Sequence, residues 1–285
     1  MTIQRGFTLI EMAIVLVIVT ILIGGLAMPL SAQIQARRIA ETRHAMEAIH
    51  DALLGYAMAH TGTCSCTYAS ATLGALLATH SCPTAFPCPP TNPTGLATLN
   101  QNNYRHYLPC PYDPSDTTVT LGNEGARDTD GLCVVPRGEL PWRTLGMDNA
   151  DAWGQRYTYA VTQEFADNDT RFISTPPPTI GTLQVHADAS CGVPGVAHQV
   201  AAVIVSHGPN GRGAQNKNGG TPLVATAFPT NAQDERHNLP APTAVAPCTN
   251  NDFVSRAPDQ NFDDLVIWLS PNALFSRVCP AGGCL

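Results

Sequence analysis

A single carboxylate, Glu11, stands near the start of an otherwise uncharged apolar run from Phe7 to Leu30. A run of that length and polarity predicts one membrane-spanning helix, which needs about 20 apolar residues. An acid inside such a helix costs on the order of 2.5–3.5 kcal/mol near the bilayer centre and less near its edge. A plain anchor gains nothing from that cost, so Glu11 reads as a functional residue. An ordinary secretory signal does not fit. Its apolar region is about 7–15 residues long with the small-residue cleavage site after it, whereas here Gly6 precedes the run. Gly24, Gly25 and Pro29 weaken the distal end of the span. Proline removes a helical hydrogen bond, and these residues leave open either a bend or a continuation whose backbone is re-satisfied by neighbouring helices.

The residues that open the run, Gly6-Phe7-Thr8-Leu9-Ile10-Glu11, resemble the class III signal of type IV pilins and pseudopilins. The resemblance implies that a prepilin peptidase cleaves after Gly6, releases the leader 1–6 and methylates Phe7. Glu11 then becomes the fifth residue of the mature chain. A buried carboxylate needs a partner, and the resemblance implies that the α-amino group of a neighbouring subunit supplies it during assembly. Arg5 falls on the cytoplasmic side, as the positive-inside rule expects. The implied partners are the prepilin peptidase, other pilin or pseudopilin subunits, and indirectly an assembly ATPase and a membrane platform protein. The implied location is the bacterial inner membrane with the head in the periplasm, then a pilus at the cell surface or a periplasmic pseudopilus.

Past the span, residues 31–60 continue as an amphipathic stem, with Ser31 as a candidate cap. Ile34, Ile39, Met46, Ile49, Leu53 and Tyr56 recur at helical spacings on one face, and Arg37, Arg38, Glu41, Arg43, Glu47 and Asp51 fill the remainder. Residues 61–285 form the head. The expected fold is α+β: a long N-terminal helical stem, membrane-spanning in its first half (7–30), and a globular head built on an antiparallel sheet with large disulfide-stapled loops.

The formal net charge is −7. In the first 60 residues Glu11, Glu41, Glu47 and Asp51 balance Arg5, Arg37, Arg38 and Arg43, so the head carries the whole excess. Lys217 is the single lysine of the chain. That balance argues against a nucleic-acid surface.

Ten cysteines, at 64, 66, 82, 88, 110, 133, 191, 248, 279 and 284, all follow the span. An even number in an exported domain reads as a disulfide framework. Cys279 and Cys284 flank a short Pro-Ala-Gly-Gly loop, and Cys110 and Cys133 flank one Asp/Gly-rich loop. Cys64, Cys66, Cys82 and Cys88 are expected to make two bridges among themselves, which leaves Cys191 with Cys248. Zinc is the competing reading, but Cys64-x-Cys66 and Cys82-x5-Cys88 miss the usual ligand spacings.

In the head, prolines at 83, 87, 89, 90 and 93 break up residues 61–103 around one short helix at Thr72–Thr79. Asp151-Ala152-Trp153-Gly154-Gln155-Arg156-Tyr157-Thr158-Tyr159 resembles a turn-and-strand of the major pseudopilin of type II secretion. Gly154 permits the tight turn, and Tyr157, Tyr159 and Val161 alternate as one strand face. Further strands are expected at Thr182–His186, Gln199–Ser206 and Asp264–Leu269, and a closing helix at Pro271–Val278. The near-continuous apolar runs Ala202–Ser206 and Leu265–Leu269 are both expected at the centre of the sheet, with a loop-rich stretch from Gly208 to Asn261 between them. Trp142, Trp153 and Trp268 read as core or subunit-contact residues.

The segment Ser206-His207-Gly208-Pro209-Asn210-Gly211-Arg212-Gly213, with Asp263-Asp264 before the last strand, resembles the calcium loop of the major pseudopilin. The resemblance implies a calcium site from Asp263, Asp264, Asn210 and the backbone carbonyl of Ser206. This sequence places over fifty residues between the two halves and an asparagine where an acid would serve better. The plain alternative is a glycine-rich turn, with the aspartates capping strands. Asp128-Thr129-Asp130-Gly131 is shorter than an EF-hand loop and reads as a turn. A hydrolase needs a nucleophile, a base and an orienter. Ser206 and His207 are adjacent and point to opposite strand faces, and no Gly-x-Ser-x-Gly, His-Glu-x-x-His or phosphate loop is present. The expected role is therefore non-enzymatic, requiring no cofactor beyond that calcium: a structural subunit, minor by its size, of a type IV pilus or similar filament. The alternatives are a pseudopilin of a type II secretion system and an adhesin-like module on a pilin anchor.

Overall fold

The computed structural model describes residues 8–62, 105–168, 172–174, 176–192, 195–219, 229, 232–240 and 248–279, without the side chains of residues 22–30, 61, 62 and 105. The short helix expected at Thr72–Thr79 and the cysteines at 64, 66, 82, 88 and 284 lie outside them.

The chain opens with α1, Leu9–Ala59, which at 1.5 Å per residue is about 76 Å long. Thr8 caps it reciprocally. Its hydroxyl accepts from the Glu11 backbone N–H, while its own N–H and Oγ1–H both donate to Glu11 Oε2 at 2.9 Å. The helix assignment continues without interruption through Gly24, Gly25 and Pro29. From Leu9 to Ile21 the described side chains are exposed on every side. Among the described residues, no helix is long and apolar enough to cross a membrane.

Burial begins further along. Met46, Ile49, Leu53 and Tyr56 are buried and Ile39 packs against the core, but Ile34 remains exposed. The stem face expected from periodicity is therefore covered only from Ile39 onward, where the head reaches it.

The head contains β1 (Thr61–Gly62), β2 (Arg105–His106), β3 (Arg137–Glu139), α2 (Trp142–Leu145), β4 (Thr158–Val161), α3 (Gln163–Ala166), β5 (Leu183–His186), β6 (Ala197–Val200), β7 (Ala202–Ser206), α4 (Gln233–Arg236), β8 (Asp252–Val254), β9 (Leu265–Leu269) and α5 (Pro271–Val278). A four-stranded antiparallel sheet runs β3-β4-β7-β9. A second sheet runs β6-β5-β8, with β5 and β8 parallel. Strand alternation explains the layering. Tyr159, Val161, Ala202, Ile204, Leu265 and Leu269 face α1 and α5, while Ala160, Val203 and Val205 face Leu183, Val185, Val200 and Phe253 of the second sheet. The head is thus a sheet sandwiched between helices and a smaller sheet.

Two expectations are corrected. The run Leu265–Leu269 is an edge strand, not a central one; it is apolar because Ile267 packs on the helix side while Val266 and Trp268 pack on the second sheet. The single strand expected at Gln199–Ser206 is two. Gln199 adopts φ +53, and the chain crosses at Ala201 from the second sheet to the first, with the Ala201 N–H donating to Leu269 O at 2.8 Å. Within the loop-rich stretch 208–261 the chain forms α4 and β8.

Disulfides join Cys110 to Cys133 and Cys191 to Cys248. Cys279, at the end of α5, is disulfide-bonded as well. The first bridge sits beside a clasp on the stem. Glu124 accepts from Tyr56 Oη at 2.6 Å, from the Cys110 N–H at 3.1 Å and from Arg127 at 2.5 Å. Glu124→Ala strands the Tyr56 hydroxyl and removes the counter-charge of Arg127, which keeps its bonds to the Leu108, Gly131 and Ala166 carbonyls, and hydrogen bonds to a charged group contribute about 1.5–3 kcal/mol. Urea unfolding should register a loss of about that size, and a change below roughly 0.5 kcal/mol would show that the clasp holds nothing.

Candidate functional site

Two places concentrate chemistry that the fold itself does not require. The first is the helix start. Gly6 and Phe7 lie outside the described residues, but Glu11 is described and exposed. One oxygen of its carboxylate is occupied by Thr8, and the helix around it presents apolar side chains in all directions. A helix that is hydrophobic all round belongs inside a bundle or a bilayer. In that setting the carboxylate needs a cationic partner, and the Thr8 bonds satisfy it only in part.

The second place lies where the turn after β7, the helix α4 and the residues before β9 converge. Glu235, Asp263 and Asp264 bring carboxylate oxygens within 4.8 Å of one another. Gly208 makes the approach feasible, because at φ +58 a Cβ would sit 2.4 Å from the Asp263 carbonyl oxygen. Glu235 accepts from Asn210 Nδ2 at 2.7 Å, from the Asp263 N–H at 3.2 Å and from Arg212 at 3.0 Å. Asn238 Nδ2 donates to Asp264 Oδ2 at 2.8 Å. Asp263 Oδ1, Asp264 Oδ1 and His207 Nδ1 are buried without a hydrogen-bond partner, the last two facing each other at 3.9 Å.

Burial, then the neighbouring Glu235, push the Asp263 carboxyl up to about 7. Burial likewise drives Asp264 well above the carboxylate range, with Glu235 and Asp263 adding to it. Burial, reinforced by Arg137, pushes the His207 imidazole down to about 3, so it is neutral, and its Nε2 meets Thr158 Oγ1 at 2.7 Å. Crowded, desolvated carboxylates with free oxygens hold either protons or a hard cation. Calcium takes about six to eight oxygen ligands in flexible geometry, and the orphaned oxygens of Asp263 and Asp264 fit that preference.

Of the sequence candidates, Asp263 and Asp264 enter this cluster. Asn210 borders it as a donor, since its Oδ1 accepts from the Arg212 N–H at 2.8 Å and its own N–H donates to Asp263 Oδ2 at 3.1 Å. The Ser206 hydroxyl donates to Asp151 Oδ2 at 2.6 Å. Asp151 also caps the turn at Trp153 and Gln155, so Ser206 ties the aromatic turn to β7. Glu235 was missed. It lies in a four-residue helix within a loop-rich stretch, and no local spacing links it to Asp263.

Residues 1–27 match the family model of the prokaryotic N-terminal methylation motif, the type IV pilin and pseudopilin signal. No curated protein and no solved structure matches the chain. The matched signal implies processing by a prepilin peptidase, membrane anchoring of the precursor, and assembly with other subunits into a surface or periplasmic filament.

Proposed function

We propose that the chain is a structural, non-catalytic and minor subunit of a type IV pilus or pilus-like filament. The observation that carries this reading is the matched signal continuing into an apolar helix whose described side chains are exposed from Leu9 to Ile21, with Glu11 the lone charge among them. Residues 7–30 hold the precursor in the inner membrane. After cleavage at Gly6 the same surface packs against neighbouring subunits, and the head docked on the far end of α1 is displayed outward. An assembly ATPase and a platform protein drive the extraction.

Two features favour a type II secretion pseudopilin as the second reading: the aromatic turn at Asp151–Gly154 and the carboxylates before β9 resemble the major pseudopilin. Fractionating cells with an antibody against the head separates the two readings. Recovery in filaments sheared from the surface supports the pilus. Retention of all the processed protein in the cell envelope would favour the secretion machine and retire the pilus assignment.

We further propose that Glu235, Asp263 and Asp264 hold calcium, which supplies positive charge to carboxylates that otherwise keep protons. Calcium at about 100 times its Kd would stabilise the head by about 2.7 kcal/mol. The full chain in detergent should therefore lose several degrees of melting temperature on chelation, and Asp263→Asn should abolish the difference. The pH dependence has a definite sign. A carboxyl raised to about 7 in the fold, against about 3.9 unfolded, contributes its stability below about pH 4 and loses it as pH rises to about 7. Without calcium the melting temperature should decline across that window, and with calcium the decline should flatten. A melt indifferent to chelation at every pH retires the site.

A further inference from the structure

The outer face of the second sheet carries a donor set that neither filament assembly nor the calcium cluster uses. β5 and β8 run parallel with Gln184 opposite Asp252 and His186 opposite Val254. Alternation therefore puts His186 and Asp252 on one face, opposite Val185 and Phe253 in the core. His186 Nε2 meets Asp252 Oδ1 at 2.8 Å, and the other carboxylate oxygen accepts from the N–H and hydroxyl of Thr249. The loop after β5 brings Cys191 to the same place. A ring nitrogen of His186, a carboxylate oxygen of Asp252 and Sγ of Cys191 all lie within 4.8 Å of one another. Cys248, at the approach to β8, is bridged to Cys191. His186 is nearly fully buried, yet its Nδ1 has no hydrogen-bond partner. Cys191 is only partly buried and adopts φ +48, a left-handed conformation costly for a residue with a Cβ.

We propose that His186, Asp252, Cys191 and Cys248 form a zinc site that opens when the Cys191–Cys248 disulfide is reduced. Two thiolates, an imidazole and a carboxylate are donors that zinc favours in a closed four-coordinate site, with bonds of about 2.0–2.3 Å. Such bonds place the ligand atoms of a tetrahedron about 3.3–3.8 Å apart, so atoms already within 4.8 Å need only small shifts. Alternatively, Asp252 remains on His186 Nε2 and orients the ring, so that the unpartnered Nδ1 binds the metal, the usual carboxylate–histidine–zinc relay. The electron balance is simple. A dithiol gives two electrons and two protons to the Cys191–Cys248 bond and leaves as its own disulfide; Zn2+ then displaces the two thiol protons. Partial exposure gives the reductant a path to Cys191. Zinc would then hold the β5 and β8 loops together in place of the covalent bridge, so the same cross-link survives in either redox state.

The test uses the full chain in detergent, reduced with a phosphine and freed of reductant under anaerobic conditions. Co2+ is the spectroscopic probe, followed by displacement with Zn2+. Because other cysteines are reduced too, the measured quantity is the increment over Cys191→Ser/Cys248→Ser. The wild type should bind one equivalent more than that double variant, with the visible bands of tetrahedral thiolate-ligated cobalt. Asp252→Asn should weaken that equivalent by about 10–100-fold, and His186→Asn by at least as much. His186→Cys, which restores a donor, should recover binding, and this separates loss of a ligand from misfolding. The oxidised chain should lack the increment. Equal stoichiometry in the wild type and the double variant, or unchanged affinity in both His186→Asn and Asp252→Asn, would overturn the proposal.

Discussion

Glu11→Ala should leave the precursor in the inner membrane while reducing its incorporation into filaments to near zero. Two roles for Glu11 coexist in the structure, and a second substitution separates them. The carboxylate closes a capping box with Thr8, and it is the lone charge among exposed apolar side chains from Leu9 to Ile21. Loss of a capping interaction costs about 0.5–2 kcal/mol of helix stability, too little to stop a filament held by long apolar helices. Loss of a charge pair in a water-free bundle, where one partner stays buried and unpaired, costs about 3–5 kcal/mol. Glutamine also serves at the third position of a capping box. Glu11→Gln should therefore keep the cap and still fail to incorporate. Normal incorporation of Glu11→Gln would mean that the cap, and not the charge, is what assembly needs.

The second large effect lies in the head. Arg137 on β3 is buried, and burial brings its guanidinium down to about 9, so it remains charged at neutral pH. It donates to the carbonyls of Leu239 and Asn250 at 2.8 Å each, and to that of His237, and it stacks 3.8 Å from the centre of the Phe253 ring. A single side chain thus anchors the segments 237–239 and 250–253 to the main sheet. Arg137→Ala leaves three carbonyls without donors and a void against Phe253. Each unsatisfied buried group costs about 1–3 kcal/mol, so the total should exceed about 3 kcal/mol. Typical domains hold about 5–15 kcal/mol in all, and the variant should therefore unfold at much lower urea. Arg137→Lys should recover less than half, because an ammonium lacks the planar fork that reaches carbonyls on several sides. A loss below about 1 kcal/mol for Arg137→Ala would show that those loops are held by something else.

These two residues mark the range of what the sequence discloses. Glu11 is conspicuous because one charge in an apolar run is a local anomaly. Local patterns served well elsewhere: Ser270, Pro271 and the apolar spacing after them locate α5 at the expected bounds, and the alternation of Tyr157, Tyr159 and Val161 predicts the strand face on the helix side. Arg137 is the opposite case. Its partners lie a hundred or more residues away in sequence, and nothing near Arg137 predicts them. Glu235 is similarly invisible, since its partners Asn210, Arg212 and Asp263 lie more than twenty residues away in sequence. The crossing at Ala201 was hidden because Val200 and Ala202 are both apolar and read as one continuous run. Parallel pairing of β5 with β8 depends on a long connection that pattern alone cannot route.

The central claim is that this chain is processed at Gly6 and works through the helix that begins there. Mass spectrometry of the protein purified from its native membrane and from sheared filaments reads that terminus directly. The mature chain should begin at N-methylated Phe7. A chain still beginning at Met1, or one cleaved after the apolar run, would contradict the claim.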